Sequence, residues 1–213
     1  NPHNPVGRAF DREELTALAA LAKRYDATVI SDEIHAPLTY GEFTPYLACG
    51  PDAEETGVVI TSSSKSFNLA GLKAALLITQ GPRMAARADK CPAGMHWRTS
   101  ILGAFAMAEA YTNGRQWLDT TVATLDENRR HLKAELERLL PDVGFELPES
   151  GYLAWLDFSK VDVTTARIFD EAKVALVPGP DMGGAAYDRW ARLNFGTSKE
   201  IITEGLERIA RIL

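Results

Sequence analysis

The chain has 213 residues, with 23 Lys and Arg against 29 Asp and Glu, and the resulting net charge of −6 speaks against nucleic acid or an anionic membrane as partner. Hydrophobic residues at 46% and charged residues at 24% are ordinary globular values and exclude a mainly disordered chain. Two cysteines, Cys49 and Cys91, are too few for a disulfide framework or a four-ligand zinc site. Apolar runs such as 74–78 are too short to span a bilayer. No basic stretch followed by an apolar one opens the chain as a signal peptide would. The expectation is a soluble, cytoplasmic α/β protein of one to two domains.

The opening Asn1-Pro2-His3-Asn4-Pro5-Val6-Gly7 is a rigid, turn-forming loop of the kind that follows a strand. With Asn at position 1, the chain reads as a piece of a longer protein. Asp11 and Glu14 fit a capping box, and Leu15, Leu18, Leu21, Ala22 and Tyr25 follow at helical spacing. Residues 27–30 and Gly57–Thr61 are short, apolar and β-branched, so they read as buried strands. Both run into polar clusters, Ser31-Asp32-Glu33-Ile34-His35 and Ser62-Ser63-Ser64-Lys65. A third strand, 74–79, follows Lys65 after only eight residues. A parallel crossover needs about a dozen or more, so this strand should run antiparallel to the second.

Helices are expected over 82–89 and 98–111, the latter small and apolar, hence buried or interfacial. A long helix over 116–140 carries Trp117, Val122, Leu125, Leu132, Leu136 and Leu139 on one stripe and is stopped by Pro141. Beyond it lie a half-exposed strand over 152–158, a helix over 164–173, and short strands over 174–177 and 192–195. A final helix opens with a capping box at Thr197 and Glu200. The organisation expected is residues 1–115 from a larger domain, a linking helix over 116–140, and a small α+β domain over 141–213.

Ligands of open α/β sheets bind at the carboxyl ends of strands, so Asp32 and Lys65 should face one crevice. Taken alone, the pair fits an edge salt bridge as well as a site. Ser62, Ser63 and Ser64 can grip a phosphate or form a solvated turn. Ser62-x-x-Lys65 also matches the signature of penicillin-binding enzymes, but the Lys-Thr-Gly and Ser-Asp-Asn strings those enzymes need are absent. A phosphate grip, a lysine and an acid on one sheet edge suit pyridoxal phosphate, whose aldehyde needs a lysine and whose ring nitrogen needs an acid. His3, His96 and His131 have no metal-ligand spacing, and no metal is expected.

Four motifs in order extend this. They are Asn-Pro-x-Asn-Pro-x-Gly at 1–7, Ser-Asp-Glu-Ile-His at 31–35, Ser-Lys-Ser-Phe-Asn-Leu-Ala-Gly-Leu at 64–72, and Arg-Leu-Asn-Phe at 192–195. Together they resemble the fold-type I pyridoxal-phosphate enzymes of the class I/II aminotransferase superfamily. Their wording, with Tyr152-Leu153-Ala154-Trp155-Leu156-Asp157, is most similar to the cystathionine β-lyase subgroup.

The resemblance implies a fold: part of a mainly parallel sheet with flanking helices, plus the smaller C-terminal domain. It also implies roles. Lys65 forms the Schiff base and moves the α-proton; Asp32 pairs with the ring nitrogen; Asn4 donates to the phenolic oxygen. Ser62, Ser64 and Lys73 hold the phosphate, and Arg192 clamps the substrate α-carboxylate with its planar fork. His35 stands where aminotransferases usually carry a tyrosine, and an imidazole can donate the same hydrogen bond. Lys73 replaces the usual arginine, a point charge in place of a fork.

The implied activity is β-elimination from cystathionine-like amino acids by a homodimer. Transamination is the alternative, and a non-catalytic regulatory or binding protein on the same fold is a second. The glycine-containing phosphate loop, the ring that stacks on the pyridine and the partner-subunit phosphate contacts of the superfamily have no counterpart in these residues. The chain is therefore expected to correspond to roughly the second half of such an enzyme.

Overall fold

The computed structural model describes residues 1–213, the side chain of His96 excepted, so the reading of His96 lies outside the described residues. By contact the chain forms two compact units, one of Asn1–Pro2 and Ala9–Thr121, the other of His3–Arg8 and Val122–Leu213.

The first unit opens with α1 (Arg12–Arg24), whose Asp11–Glu14 capping box forms with both of its hydrogen bonds. Strand β1 (Val29–Asp32), helix α2 (Pro51–Thr56), strand β2 (Gly57–Thr61), the short α3 (Ser63–Ser66) and strand β3 (Leu76–Ile78) follow. The three strands make one sheet in the order β1-β2-β3, with β1 and β2 parallel and β2 and β3 antiparallel. The short link after Lys65 thus has the consequence read from its length. Within this sheet one pairing is parallel and one antiparallel, flanked by helices as expected of an α/β fold. Leu15 and Ala19 of α1 pack with Tyr46, Leu47, Cys49, Ala53 and Val59 as a core on one side of the sheet. Ile30, Leu76, Leu77 and Ile78 remain exposed.

Three helices follow β3: α4 (Pro82–Ala88), α5 (Gly94–Trp97) and α6 (Ile101–Asn113). Ser100 caps α6, so it starts three residues later than its composition suggests. Ile101, Leu102 and Phe105 on it are 69–71% exposed, so of the two expectations, buried or interfacial, this face is not buried among these residues. The long α7 (Arg115–Leu139) carries the boundary between the units inside it. Phe67 stacks on Trp117 at 5.7 Å and meets Tyr111 edge-on at 5.8 Å.

In the second unit Leu125, Leu132 and Leu136 of α7 are buried, as the stripe requires. Its sheet has the order β4-β5-β7-β6, all antiparallel, from β4 (Gly144–Phe145), β5 (Leu153–Asp157), β6 (Val177–Pro178) and β7 (Trp190–Asn194). The helix expected over 164–173 divides into a turn of α-helix (α8, Thr165–Arg167) and a π-helical segment, Ile168–Ala172, ending on left-handed Lys173. Helix α9 (Pro180–Gly183) precedes β7, and α10 (Lys199–Ala210) closes the chain, capped by Ser198 and not Thr197. Asn128 is buried on α7 and donates to the carbonyls of Phe195 and Thr197 at 3.1 and 2.6 Å.

The segment His3–Arg8 joins this second unit through Gly7. Its φ of +75° and the 2.4 Å that would separate a Cβ from Pro148 Cβ both demand glycine. The Gly7 carbonyl accepts from Glu149 N–H at 3.0 Å.

Candidate active site

Strands β1 and β2 pair in parallel with Asp32 opposite Ile60, so Asp32 and the segment 62–65 leave the sheet at the same end. Asp32 is exposed, and its Oδ1 accepts from the Ile34 N–H at 3.1 Å, a tight local turn at the strand exit. His35 is half-buried, and its carbonyl accepts from the Leu38 N–H in the turn that follows. Lys65 sits half-buried on α3, and its ammonium has no hydrogen bond or ion pair among the described residues.

The serines assigned to a phosphate separate in role. Ser62 is 1% exposed. Its hydroxyl donates to the Ala74 carbonyl at 2.6 Å and accepts from the Ser64 N–H at 3.0 Å, capping α3. The Ala74 oxygen can only accept, so the Ser62 proton is committed there, and the 2.7 Å contact between the two hydroxyls is donated by Ser64. Ser62 is therefore a tie between β2 and the Lys73–Ala74 turn. The half-buried Ser64 is the one whose hydroxyl can rotate toward a ligand.

A cavity of about 660 Å³ opens here in the first unit, within the range of roughly 300–1,000 Å³ usual for small-molecule sites. Ser62, Ser64, Lys73, Ala74, Arg98 and Thr99 are among its lining residues. Lys73 is exposed with φ 56° and ψ 53°, a left-handed conformation that costs a non-glycine residue about 1–2 kcal/mol. Asp32, His35 and Lys65 do not line this cavity.

In the second unit, β7 presents Arg192, which donates from Nη1 to Asn4 Oδ1 at 3.1 Å and lies 3.7 Å from Met182 Sδ. Burial pushes the phenol of Tyr152 up, and the neighbouring Arg192 charge opposes that rise. Trp155 stacks on Trp190 at 5.5 Å, and Tyr187 meets both rings.

Sequence reasoning missed two charged groups. Glu33 is 5% exposed, and its Oε1 accepts from the Tyr46 N–H at 2.8 Å and the Ser31 hydroxyl at 3.1 Å. Burial raises its carboxyl above the ordinary value, with those two hydrogen bonds opposing. The only available signal was its place between two exit residues of β1. Arg98 lines the cavity from the loop before α6, outside every motif.

Asp32 at the exit of β1 and Lys65 just after β2 thus stand at the end of the sheet where open α/β folds bind their ligands. Residues 1–209 match the family model for aminotransferase class I and II, and the chain belongs to that family. It is 40% identical over 218 residues to a cystathionine beta-lyase of Corynebacterium glutamicum, covering all of this chain and 58% of that one. It is 36% identical over 222 residues to the cystathionine beta-lyase PatB of Bacillus subtilis, covering all of this chain and 57% of the relative. Thus the chain spans a little over half the length of the curated relatives it matches. Among solved structures, the PLP-bound C–S lyase of Staphylococcus hominis superposes with a TM-score of 0.86 at 30% identity, over 99% of this chain and 56% of that one. Cystalysin of Treponema denticola, which contains pyridoxal 5′-phosphate, gives 0.89 at 27% identity, over 99% and 55%.

Proposed function

We propose that the whole protein to which these residues belong is a pyridoxal-phosphate-dependent carbon–sulfur β-lyase. It would convert a cystathionine-like thioether amino acid and water into a thiol, ammonia and a keto acid. The observation that carries this is the parallel β1–β2 pair, whose adjacent ends hold Asp32 and the Ser62–Lys65 turn.

The residues present fit the cofactor. A phosphate ester finds hydroxyl and cationic side chains lining one cavity, an aldehyde finds a lysine without an acidic partner, and a pyridine nitrogen finds a carboxylate at the strand exit. When bound, the cofactor supplies an electron sink for the electrons left as the α-proton departs.

The chain's own groups do the rest. The Lys65 amine takes the α-proton of the substrate. The Asp32 carboxylate keeps a proton on the ring nitrogen. Asn4 donates from Nδ2 to the phenolic oxygen, and His35 is the second candidate donor there. Ser64 and Lys73 grip the phosphate, with Ser62 holding their turn. The Arg192 fork takes the substrate carboxylate in two parallel hydrogen bonds.

A homodimer and a cytoplasmic location belong to the same proposal, the latter supported by two unpaired cysteines. No helix among the described residues is long and apolar enough to cross a membrane. The test is incubation of the whole protein with cystathionine and no keto acid. Release of thiol, ammonia and pyruvate in equal amounts is expected. A strict requirement for a keto-acid acceptor, with no ammonia, would establish transamination instead. Absence of both turnover and cofactor absorbance would establish a non-catalytic binding protein.

A further inference from the structure

The start of α6 meets the Lys73 turn at two points, and a third contact holds the turn from the β2 side. The Ser100 N–H donates to the Lys73 carbonyl at 3.3 Å. Gly103 lies so close to Leu72 that a Cβ there would fall 2.2 Å from the Leu72 oxygen and 3.0 Å from Ala74 Cβ. On the other side of the turn, the buried Ser62 hydroxyl holds the Ala74 carbonyl. Lys73, Arg98, Thr99 and Ser64 all line the one cavity.

The charges there are not satisfied within the protein. Neither the Lys73 ammonium nor the Arg98 guanidinium has a hydrogen bond or ion pair among the described residues. Asp89 is the one carboxylate among the lining residues, against these two cations. Lys73 also holds an unfavourable left-handed backbone at this point, and strain of that kind persists where surroundings over-determine it, often at ligand clamps. Lysine offers a point charge, whereas arginine offers a rigid planar fork matched to phosphate oxygens.

We propose that Arg98 is a second cationic ligand of the cofactor's phosphate group, supplying beside Lys73 the planar donor fork that lysine lacks. This rests on the cofactor reading above. It assigns a binding role to a residue outside every motif and makes the α6 approach a part of the phosphate cradle.

The experiment compares binding of pyridoxal 5′-phosphate with that of pyridoxal, which keeps the aldehyde and ring but has no phosphate. The whole protein is used, and inorganic phosphate serves as competitor. In Arg98→Gln the Kd for pyridoxal 5′-phosphate should rise about tenfold to hundredfold, the loss expected for a charge-assisted hydrogen bond. The Kd for pyridoxal should not change, and competition by inorganic phosphate should weaken. Arg98→Lys should fall between, and Lys73→Arg added to Arg98→Gln should restore tight binding. Melting of the cofactor-free forms checks folding, and the milder Arg98→Lys carries the comparison if the glutamine variant melts early. An unchanged ratio between the two ligands, or an equal loss of both, overturns the role of Arg98 and leaves the cofactor reading standing. A parent protein that binds neither ligand overturns the cofactor reading itself.

Discussion

Arg192 fixes which way the Asn4 amide points. Arginine can only donate, so the 3.1 Å contact from its Nη1 must fall on the Asn4 oxygen. The contact occupies the amide oxygen and leaves Nδ2 as the donor, which is what a phenolic oxygen requires. Asn4→Asp keeps the contact to Arg192 but has no donor to present. In the whole protein its kcat/KM should fall about 10- to 100-fold, one charge-assisted hydrogen bond, by steady-state kinetics. Activity near that of the parent would detach Asn4 from the site.

Lys65→Ala should abolish covalent retention of cofactor after borohydride treatment, read by mass spectrometry of the intact chain. Cofactor still attached in the variant would move the attachment to another lysine.

Asp32→Asn keeps the local turn, because the amide oxygen can still accept from the Ile34 N–H. Only the charge is lost. In the whole protein catalysis should drop by orders of magnitude while the fold melts as before, since a charge aimed at the ring nitrogen contributes several kcal/mol to the transition state once the bound cofactor covers it. A loss under about tenfold, roughly 1.4 kcal/mol, would reduce Asp32 to a turn former.

Glu33 makes a prediction about stability. Burial raises its carboxyl above the ordinary value for a glutamate. The folded protein therefore holds this proton more tightly than the unfolded chain does. The contribution favours folding below about pH 4.5 and is lost as pH rises through the elevated folded value. Glu33→Gln removes the titration and keeps an acceptor for the Tyr46 N–H and Ser31 hydroxyl. Urea unfolding should find it at least as stable as the parent at neutral pH, with a flatter pH profile. Glu33→Ala strands the Tyr46 N–H and should cost about 1–3 kcal/mol.

Gly103→Ala forces a methyl against the Leu72 carbonyl. Backbone cannot yield as a flexible side chain would, so a loss of about 1–3 kcal/mol is expected, together with weaker binding of pyridoxal 5′-phosphate. A variant as stable as the parent would show that α6 can shift on the turn.

The sequence disclosed local features best where one short stretch sets the structure. The Asp11–Glu14 box forms as read, β2 keeps its bounds, and the short link after Lys65 dictates the antiparallel β3. Strand β1 was misplaced because pairing decides its ends: Ser31 and Asp32 are polar but lie opposite Val59 and Ile60. Asp26 at φ 52° ends the turn before it, which delays the start to Val29. Whether α6 would be buried or interfacial was not legible, because composition says that a face is apolar, and not what lies against it. The motif gave Ser62 and Ser64 one role, since a hydroxyl reads alike in sequence whether it is committed to Ala74 or exposed to a ligand. Arg98 had no signal, because its nearness to Lys73 is made by Gly103 and Ser100, some thirty residues from the turn they meet.

The way Gly103 and Ser62 hold the Lys73 turn has an evolutionary consequence. The shape of this cavity is cast by a missing side chain, a backbone carbonyl and one hydroxyl, and all three act without regard to what Lys73 and Arg98 carry at their tips. Form and charge can therefore drift independently. A descendant could retune its preference among anions by exchanging two exposed residues, while the mould that receives them passes on unaltered.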